Sequence, residues 1–373
     1  MENIVIPSDY KIITKLGTGS FATVWEVEDV QNGNRYAMKI IPHTTEEKDM
    51  NGEERLKNEV TVCKILHHQN IAELVDFRDD EKNAYLVFEL CSNGTLGDLL
   101  MRLGQIPEDE LRGYFIETAK SLRYLHEEAN IIHRDIKIDN IMFNSNNSIK
   151  IIDFGLSTKF NPIKNEKFNK VCGSPKYVPP EMFFGEEYGP SIDIWALGVV
   201  LFYCSSGYFP FESYQLQKLS YKIMFEEPIY PLGISEDLID LLKKMLNKEP
   251  DDRINWKEIF DHPWVKKGLS QKPKILKKPP IPVKPPNSGL KVPTLSPKEE
   301  FQGSIYVTHR SQAAIKRDLT SSLDVINGIE TTTRRKQRRM SKLNESMDAI
   351  TTVVHVMNSH LYESLPIRQS GQD

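Results

Sequence analysis

Apolar and polar positions alternate along the first part of the chain, and glycine and asparagine residues interrupt the pattern at short intervals. Residues 10–17, 23–30 and 34–41 are rich in β-branched and aromatic side chains, so we predict three β-strands. Residues 53–66 instead place apolar side chains at helical spacing, which predicts one helix. The strand pattern returns over residues 71–91. This first part is therefore predicted to be mainly β-structure.

Helical spacing dominates the next part of the chain, from residue 96 to residue 265. Short apolar stretches at 141–143 and 149–153 interrupt it and predict two short strands. The apolar run at 194–204 is too short to span a bilayer, so we predict a buried core helix there. A small β-rich part followed by a larger helical part predicts an α+β fold with two lobes.

The composition changes after the helical part. Residues 272–298 contain eight prolines, seven lysines and no acidic residue. Such a composition predicts an extended, solvated linker, with a proline-rich ligand for a WW or SH3 domain as the alternative. We therefore divide the chain into a domain at 10–265, a linker at 266–303 and a C-terminal tail at 304–373.

The tail combines a basic run with an apolar stripe. The run RRKQRR at 334–339 has three interpretations: a nuclear import signal, a calmodulin-type target helix or a solvated charge run. Apolar side chains that follow it recur at helical spacing and predict one amphipathic helix: Met340, Leu343, Met347, Ile350, Val353, Val354, Met357 and Leu361. A regulatory partner at this tail is our expectation.

Composition and charge narrow the function classes. The hydrophobic fraction of 39% and the charged fraction of 27% are typical of a soluble protein. The four cysteines form no metal-ligand pattern, so we expect them to be reduced, and the N-terminus shows no signal peptide. The net charge of −4 combines a basic tail with an acidic remainder. We expect a protein of the nucleus or cytoplasm that binds neither membranes nor nucleic acid directly.

A set of short motifs carries the chemistry. The glycine-rich stretch GTGSFATV at 17–24 lies between two predicted strands, where it suits phosphate binding or a plain hairpin turn. AMK places Lys39 on the next strand, and HRDIKIDN, DFG and PPE follow at 133–140, 153–155 and 179–181. This set, in this order and spacing, resembles the eukaryotic protein kinase family over residues 10–265. The resemblance implies the bilobal kinase fold, with ATP and Mg²⁺ as cofactors.

The resemblance also implies roles for the charged residues. Phosphoryl transfer depends on positioning and charge neutralisation more than on covalent chemistry. Lys39 would hold the α- and β-phosphates of ATP, and Glu59 would pair with Lys39. Glu54 is a poorer partner because it lies more than one helical turn earlier.

Four further residues complete the implied catalytic set. Asp153 and Asn140 would bind Mg²⁺. Asp135 would accept the proton of the substrate hydroxyl, and Lys137 would place a cation beside the transferred phosphoryl group.

The nucleotide cleft follows from the same resemblance. Its ATP-binding residues would be Leu16, Gly17, Thr18, Gly19, Ser20, Phe21, Ala22, Thr23, Val24, Ala37, Lys39, Glu59, Glu89, Cys91 and Met142. Leu16, Val24, Ala37 and Met142 would enclose the adenine, with ordinary core packing as the alternative. Glu89 and Cys91 would meet its edge through their backbones, and Phe88 would be the gatekeeper. Ala22 departs from the family pattern, which has glycine there.

Further motifs indicate a branch of the family. The lysine of HRDIK resembles the serine/threonine branch, so we expect protein serine and threonine hydroxyls as substrates. CGSPKYVPPEM, DIWALGVVLF, Arg253 and HPWV resemble the calcium/calmodulin- and AMP-regulated kinase group. In such kinases Arg253 would pair with Glu181, and Asp193 would anchor the catalytic loop.

Residues 155–181 form the activation segment that the resemblance implies. This segment resembles that of the checkpoint effector kinases of this group, through its NK-x-CG and YV-x-PE sequences. A nutrient- or stress-signalling kinase of the AMP-regulated type is the alternative, and an inactive kinase-like scaffold is a third hypothesis. Thr95 departs from relatives that prefer arginine before the target, which carry an acidic residue there, although Asp98 remains.

Lys170 stands where many relatives carry a phosphorylated threonine that pairs with the arginine of HRD, here Arg134. A lysine cannot be phosphorylated in that way. We therefore expect the segment to be ordered by other contacts, with Glu166 as the partner of Arg134 or Lys170. Ser174 is expected to be a hydroxyl that supports the loop.

Overall fold

In the computed structural model, which describes residues 6–19, 22–43 and 50–269, the chain forms a small β-rich lobe and a larger helical lobe. The predicted α+β, bilobal fold class is confirmed. Helix α9 continues past residue 265 to Leu269. The remainder of the predicted linker and the whole predicted tail lie outside the described residues.

The small lobe contains one antiparallel sheet with strand order β1-β2-β3-β5-β4. Its strands are β1 (Tyr10–Thr18), β2 (Thr23–Asp29), β3 (Arg35–Pro42), β4 (Leu74–Asp79) and β5 (Asn83–Glu89). The first three strands lie where the alternating pattern predicted them, and residues 71–91 supply the other two.

Both faces of this sheet are covered because β5 has apolar side chains at successive positions, which point to opposite faces. Tyr85 and Val87 pack with Met38 and others on one face. Ala84 and Leu86 pack on the other face against helix α1 (Met50–Cys63). The predicted helix therefore docks on the sheet and carries Glu59 toward β3.

The large lobe contains the remaining elements of the described chain. Its helices are α2 (Leu96–Leu103), α3 (Glu108–Glu127), α4 (Pro180–Phe183), α5 (Ser191–Ser206), α6 (Leu216–Phe225), α7 (Glu236–Met245), α8 (Trp256–Asp261) and α9 (Pro263–Leu269). Its short strands are β6 (Ile131–Ile132), β7 (Ile141–Phe143), β8 (Ile149–Ile151) and β9 (Thr158–Lys159). Strands β7 and β8 pair as a hairpin, and β6 pairs with β9.

Helix α5 forms the centre of the large lobe, and the prediction of a buried core helix there is confirmed. Almost every side chain from Ile192 to Ser205 is buried. The helix ends at Ser206 and is capped by Gly207, whose φ of 81° is the left-handed conformation that glycine adopts without steric cost. Asp193 in the first turn is buried as well. Within the described part of the chain, we find no helix with the length and apolar character that crossing a membrane requires.

Candidate functional site

The glycine-rich stretch forms the turn between β1 and β2. Gly17 pairs with Val24, and the Gly19 N–H donates to the Ala22 carbonyl over 2.8 Å. Among the residues that the structure describes, a Cβ added at Gly17 would meet no atom within 4 Å, so packing against them does not require glycine there. The open space fits the close approach of a phosphate to the backbone. Ser20 and Phe21, which the sequence also assigned to the nucleotide, lie outside the described residues.

Lys39 lies between two carboxylates. Its Nζ is 2.6 Å from Oε1 of Glu59 and 3.2 Å from Oδ1 of Asp153. Glu59 is buried, whereas Glu54 is exposed on the same helix. Burial alone lowers the pKa of Lys39, but the charges of Glu59 and Asp153 outweigh it and raise that pKa. The Lys39 charge in turn lowers the pKa of Asp153 to about 2, against the effect of burial. Lys39 and Asp153 are therefore both charged at neutral pH.

Asp153 and Asn140 provide the kinds of oxygen that Mg²⁺ prefers. The Ile152 N–H donates to the Asn140 carbonyl over 3.0 Å, which keeps the two segments adjacent. The Asn140 side-chain nitrogen donates to the Asp135 carbonyl over 2.9 Å and to Asp135 Oδ2 over 3.2 Å. Because these bonds use the nitrogen, they leave the amide oxygen of Asn140 for a metal. The residues present therefore fit Mg²⁺.

Asp135 is buried at the centre of a set of hydrogen-bond donors. Its Oδ1 accepts from the Ser174 N–H over 3.0 Å and from the Ser174 hydroxyl over 2.9 Å. Its Oδ2 accepts from Lys137 Nζ over 2.7 Å. Lys137 Nζ is also 3.2 Å from the Ser174 hydroxyl. Sequence reasoning missed this role of Ser174, which contacts the proposed catalytic residues directly and does more than support the loop.

The loop that carries Asp135 is held from beneath by α5. Asp193 accepts the N–H of His133 over 2.8 Å, the N–H of Arg134 over 2.9 Å and His126 Nε2 over 2.8 Å. Burial alone raises the pKa of Asp193, but the hydrogen bond with His126 and the interactions with His126 and His133 lower it overall. Arg134 and Asp153 have φ angles of 69° and 64°, uncommon for residues with a Cβ. Such backbone strain is concentrated at functional sites.

The structure places the residues assigned to the adenine on strands of both lobes. Ala37 on β3 pairs with Phe88 on β5, and Met142 on β7 bridges to Thr95. Leu16 on β1 is 48% exposed, so core packing does not account for its apolar side chain.

The hinge connects the lobes directly after β5. Cys91 makes no backbone hydrogen bond within the part of the chain that the structure describes, so its N–H and carbonyl are available to a ligand. The Glu89 side chain has a further role that the sequence did not indicate. Its Oε1 is 2.5 Å from Nζ of the buried Lys150 and joins the hinge to β8.

Within the described part of the chain, Arg134 has no acidic partner and is held by backbone carbonyls. Its Nε donates to the Leu156 carbonyl over 2.5 Å, and its Nη2 donates to the Ser157 carbonyl over 3.3 Å. Glu166 instead accepts the Asn161 N–H over 2.8 Å. The expectation that Glu166 would pair with Arg134 or Lys170 is therefore wrong. A local turn satisfies Glu166 because Asn161 lies only five residues earlier.

The turn that contains PPE is anchored by an ion pair in the interior. Arg253 donates from Nη1 and Nη2 to the two oxygens of Glu181 over 2.8 and 2.9 Å. Both side chains are almost completely buried. The predicted pair of Arg253 and Glu181 therefore forms, in the bidentate geometry that makes such contacts strong.

Two lobes, a glycine-rich turn, and a lysine held by two carboxylates define the protein kinase class, and comparison with known proteins agrees. The protein kinase domain family matches residues 10–265, well over half of the chain. The chain therefore belongs to the protein kinase family.

The similar proteins include a probable serine/threonine-protein kinase KIN1 homolog of Encephalitozoon cuniculi, 34% identical over 69% of this chain and 46% of that protein. The hormonally up-regulated neu tumor-associated kinase of Homo sapiens is 34% identical over 69% of this chain and 37% of that protein. Its homolog in Xenopus tropicalis is 35% identical over the same shares. The chain thus spans less than half the length of these relatives. Serine/threonine protein kinase is the enzyme class that the family and these names support.

Proposed function

We propose that this chain is an active protein kinase that transfers the γ-phosphate of Mg·ATP to serine or threonine hydroxyls of proteins. The observation that carries the proposal is the intact contact of Lys39 with Glu59 and Asp153. An inactive scaffold does not need to hold a buried glutamate against that lysine. The family uses ATP with Mg²⁺ in general.

The proposed nucleotide roles are those that membership of the family implies, and the contacts of Lys39 support them. Lys39 holds the α- and β-phosphates, and Glu59 fixes the direction of the lysine side chain. Asp153 and Asn140 hold Mg²⁺, which neutralises charge on the phosphates when it is bound. Leu16, Val24, Ala37 and Met142 enclose the adenine, and the backbones of Glu89 and Cys91 meet its edge.

The transfer step belongs to the second cluster. Asp135 orients the substrate hydroxyl and accepts its proton, because it is the carboxylate that faces Lys137 and Ser174. Lys137 neutralises the negative charge that develops on the phosphoryl group as it passes to the substrate hydroxyl. Ser174 holds Oδ1 of Asp135 and thereby limits the rotation of the carboxylate.

Replacement of the proposed base tests this function. Asp135→Asn keeps the shape of the side chain but removes its charge, so peptide phosphorylation should fall by ~10²–10⁴-fold while ATP binding and the melting temperature change little. The matched control is Asp251→Asn, which changes an exposed carboxylate far along the chain. Peptide phosphorylation by Asp135→Asn at the wild-type rate would contradict the assigned base. A wild-type chain that binds Mg·ATP without phosphorylating any peptide would favour the scaffold.

For the pathway we propose checkpoint-type signalling in the cell cycle or the response to DNA damage. The sequence of the activation segment supports it, as does an Arg134 side chain that needs no phosphate partner. An AMP-regulated type of nutrient or stress signalling is the alternative. Phosphorylation of an arrayed peptide library separates the two, because it reads substrate preference directly.

For the location we propose the nucleus together with the cytoplasm, and for the tail a regulatory partner. Both rest on the basic run at 334–339. A fluorescent fusion in which these basic residues are changed to glutamine should lose nuclear signal. An unchanged distribution would leave the calmodulin-type or solvated interpretation, which a calmodulin-binding measurement then separates.

A further inference from the structure

The activation segment is joined to the catalytic loop through Arg134, and every acceptor that the described residues offer to that guanidinium is neutral. Two are the backbone carbonyls of Leu156 and Ser157. The third is the Tyr188 hydroxyl, 3.5 Å from Nη1. The Phe168 ring lies 6.0 Å from the guanidinium carbon. Among the described residues, no carboxylate lies within salt-bridge distance of Arg134.

Tyr188 connects this arginine to the segment at residue 170. Its hydroxyl donates to the Lys170 carbonyl over 2.6 Å and faces Arg134 with its oxygen. Its backbone exchanges two hydrogen bonds with Phe168, of 2.7 and 2.9 Å, and the two rings are in contact. The Tyr188 side chain is therefore buried between the segment and the chain that leads into α5.

Residue 170 is connected to the proposed catalytic residue Asp135 through the short stretch of chain that ends at Ser174. Gly173 follows closely, with a φ of 94° and its Cα pressed against the Arg134 carbonyl, where an added Cβ would lie 2.6 Å from that oxygen. Ser174 comes next and bonds Asp135 through both its N–H and its hydroxyl. A shift of the chain at residue 170 would thus move Ser174 away from Asp135.

We propose that Tyr188 is a positioning residue whose hydroxyl joins Arg134 to the activation segment, in the place that a loop phosphate occupies in other kinases. The inference rests on the proposed kinase function. The link is permanent, because the buried phenol does not depend on a second enzyme. It therefore explains how Lys170 is compatible with an ordered segment: the backbone of Lys170 makes the contact, and its charged side chain is exposed.

Burial raises the pKa of Tyr188 above its ordinary value, and the neighbouring Cys172 adds to this against the lowering effect of Arg134. The hydroxyl therefore keeps its proton over the whole physiological range and continues to donate to the carbonyl. The activity that depends on this link should not titrate between about pH 5 and 7, the range over which a loop phosphate with a pKa of ~6 would change charge.

The first test is Tyr188→Phe in the full chain, which removes one oxygen and keeps the ring. We expect kcat for peptide to fall by roughly two- to tenfold, the effect of one net hydrogen bond. The KM for ATP should stay within about twofold, because Lys39, Glu59 and Asp153 are not touched. Amide hydrogen exchange over residues 168–174 should become faster, because the segment loses its contact with the Tyr188 hydroxyl. This measurement reports local order and does not require kinase activity.

The second test is rescue. In Tyr188→Phe, the further change Lys170→Glu places a carboxylate on the same segment. The Lys170 carbonyl and Arg134 Nη1 lie 2.6 and 3.5 Å from the same Tyr188 oxygen, so residue 170 is close to the guanidinium. We expect Lys170→Glu to restore kcat and slow exchange at low salt, and less so in 0.5 M salt, where charges are screened. The matched control Lys167→Glu, next to Gly189, should restore neither.

Slower kcat and faster exchange in Tyr188→Phe, with rescue by Lys170→Glu alone, support the proposal. Unchanged amide exchange over residues 168–174 in Tyr188→Phe overturns it. The proposal is also overturned if Lys170→Glu and Lys167→Glu restore kcat equally, or if neither substitution restores it. A wild-type chain without kinase activity would contradict the proposed function, and the exchange measurements would still decide the role of Tyr188.

Discussion

The ion pair between Arg253 and Glu181 provides the sharpest stability prediction. The substitution Arg253→Met puts an unbranched apolar side chain in place of the arginine and removes every hydrogen-bond donor of the guanidinium. Arg253 and Glu181 are 0% and 1% exposed, so the carboxylate of Glu181 would remain buried without its partner. Arg253 also donates to the carbonyls of Asn247 and Ser191, which lose those bonds.

The magnitude follows from this burial. Removal of one partner of a buried ion pair typically costs about 3–5 kcal/mol, because an uncompensated charge stays in the interior. For a domain of this size each kcal/mol lowers the melting temperature by roughly 2–4 °C. We therefore expect a decrease of about 6–20 °C. The turn that contains Glu181 should loosen at the same time, and peptide KM should rise.

The assay is thermal unfolding of the full chain followed by circular dichroism, with peptide kinetics at 25 °C. The control is Lys57→Ala, which removes an exposed i,i+4 partner of Glu53 and should leave the melting temperature almost unchanged. The double variant Arg253→Met with Glu181→Leu removes both charges, so it should recover part of the loss. A decrease below about 3 °C in Arg253→Met, or a double variant no more stable than the single one, would refute the reasoning.

The remaining predictions concern catalysis and regulation. Lys39→Met and Asp153→Ala should both strongly reduce Mg·ATP turnover, measured with nucleotide affinity, and wild-type turnover in both would point to another phosphate site. Deletion of residues 304–373 should raise or relocalise activity with an unchanged melting temperature, whereas a sharp decrease in both would make the tail part of the core. Protein expressed in bacteria and treated with phosphatase should phosphorylate peptide at ~1–100 s⁻¹. If this protein phosphorylates no peptide until another kinase modifies Thr158 or Ser174, the hypothesis of a segment that is ordered without phosphate is contradicted.

Much of the fold was predictable because local pattern and burial agree in it. The strands β1, β2 and β3 have apolar side chains on alternate positions, and α5 is apolar on all sides because the core surrounds it. The pair β6 and β9 was not predicted. Two residues per strand are too few for a periodic signal, and the partners are far apart in the sequence.

Some residues of the candidate site were likewise predictable from the sequence, and others were not. Lys39, Asp135 and Asp153 were assigned because the short motifs that contain them resemble, in their order, those of the protein kinase family. The choice of Glu59 over Glu54 followed from helical geometry, which the sequence also contains. Short motifs and local helical spacing carry these assignments, so the linear sequence was sufficient to make them, although folding brings Lys39 and Asp153 together over 114 positions.

The tertiary structure alone decided which groups surround Arg134. The sequence offered Glu166 as a charged partner, yet the structure supplies backbone carbonyls and the Tyr188 hydroxyl. Every residue has a backbone carbonyl, so such an acceptor leaves no compositional signal, and Tyr188 lies 54 residues from Arg134. Residues brought together by folding compete for the guanidinium through geometry and burial, and a nearby acid that a local turn already satisfies loses that competition.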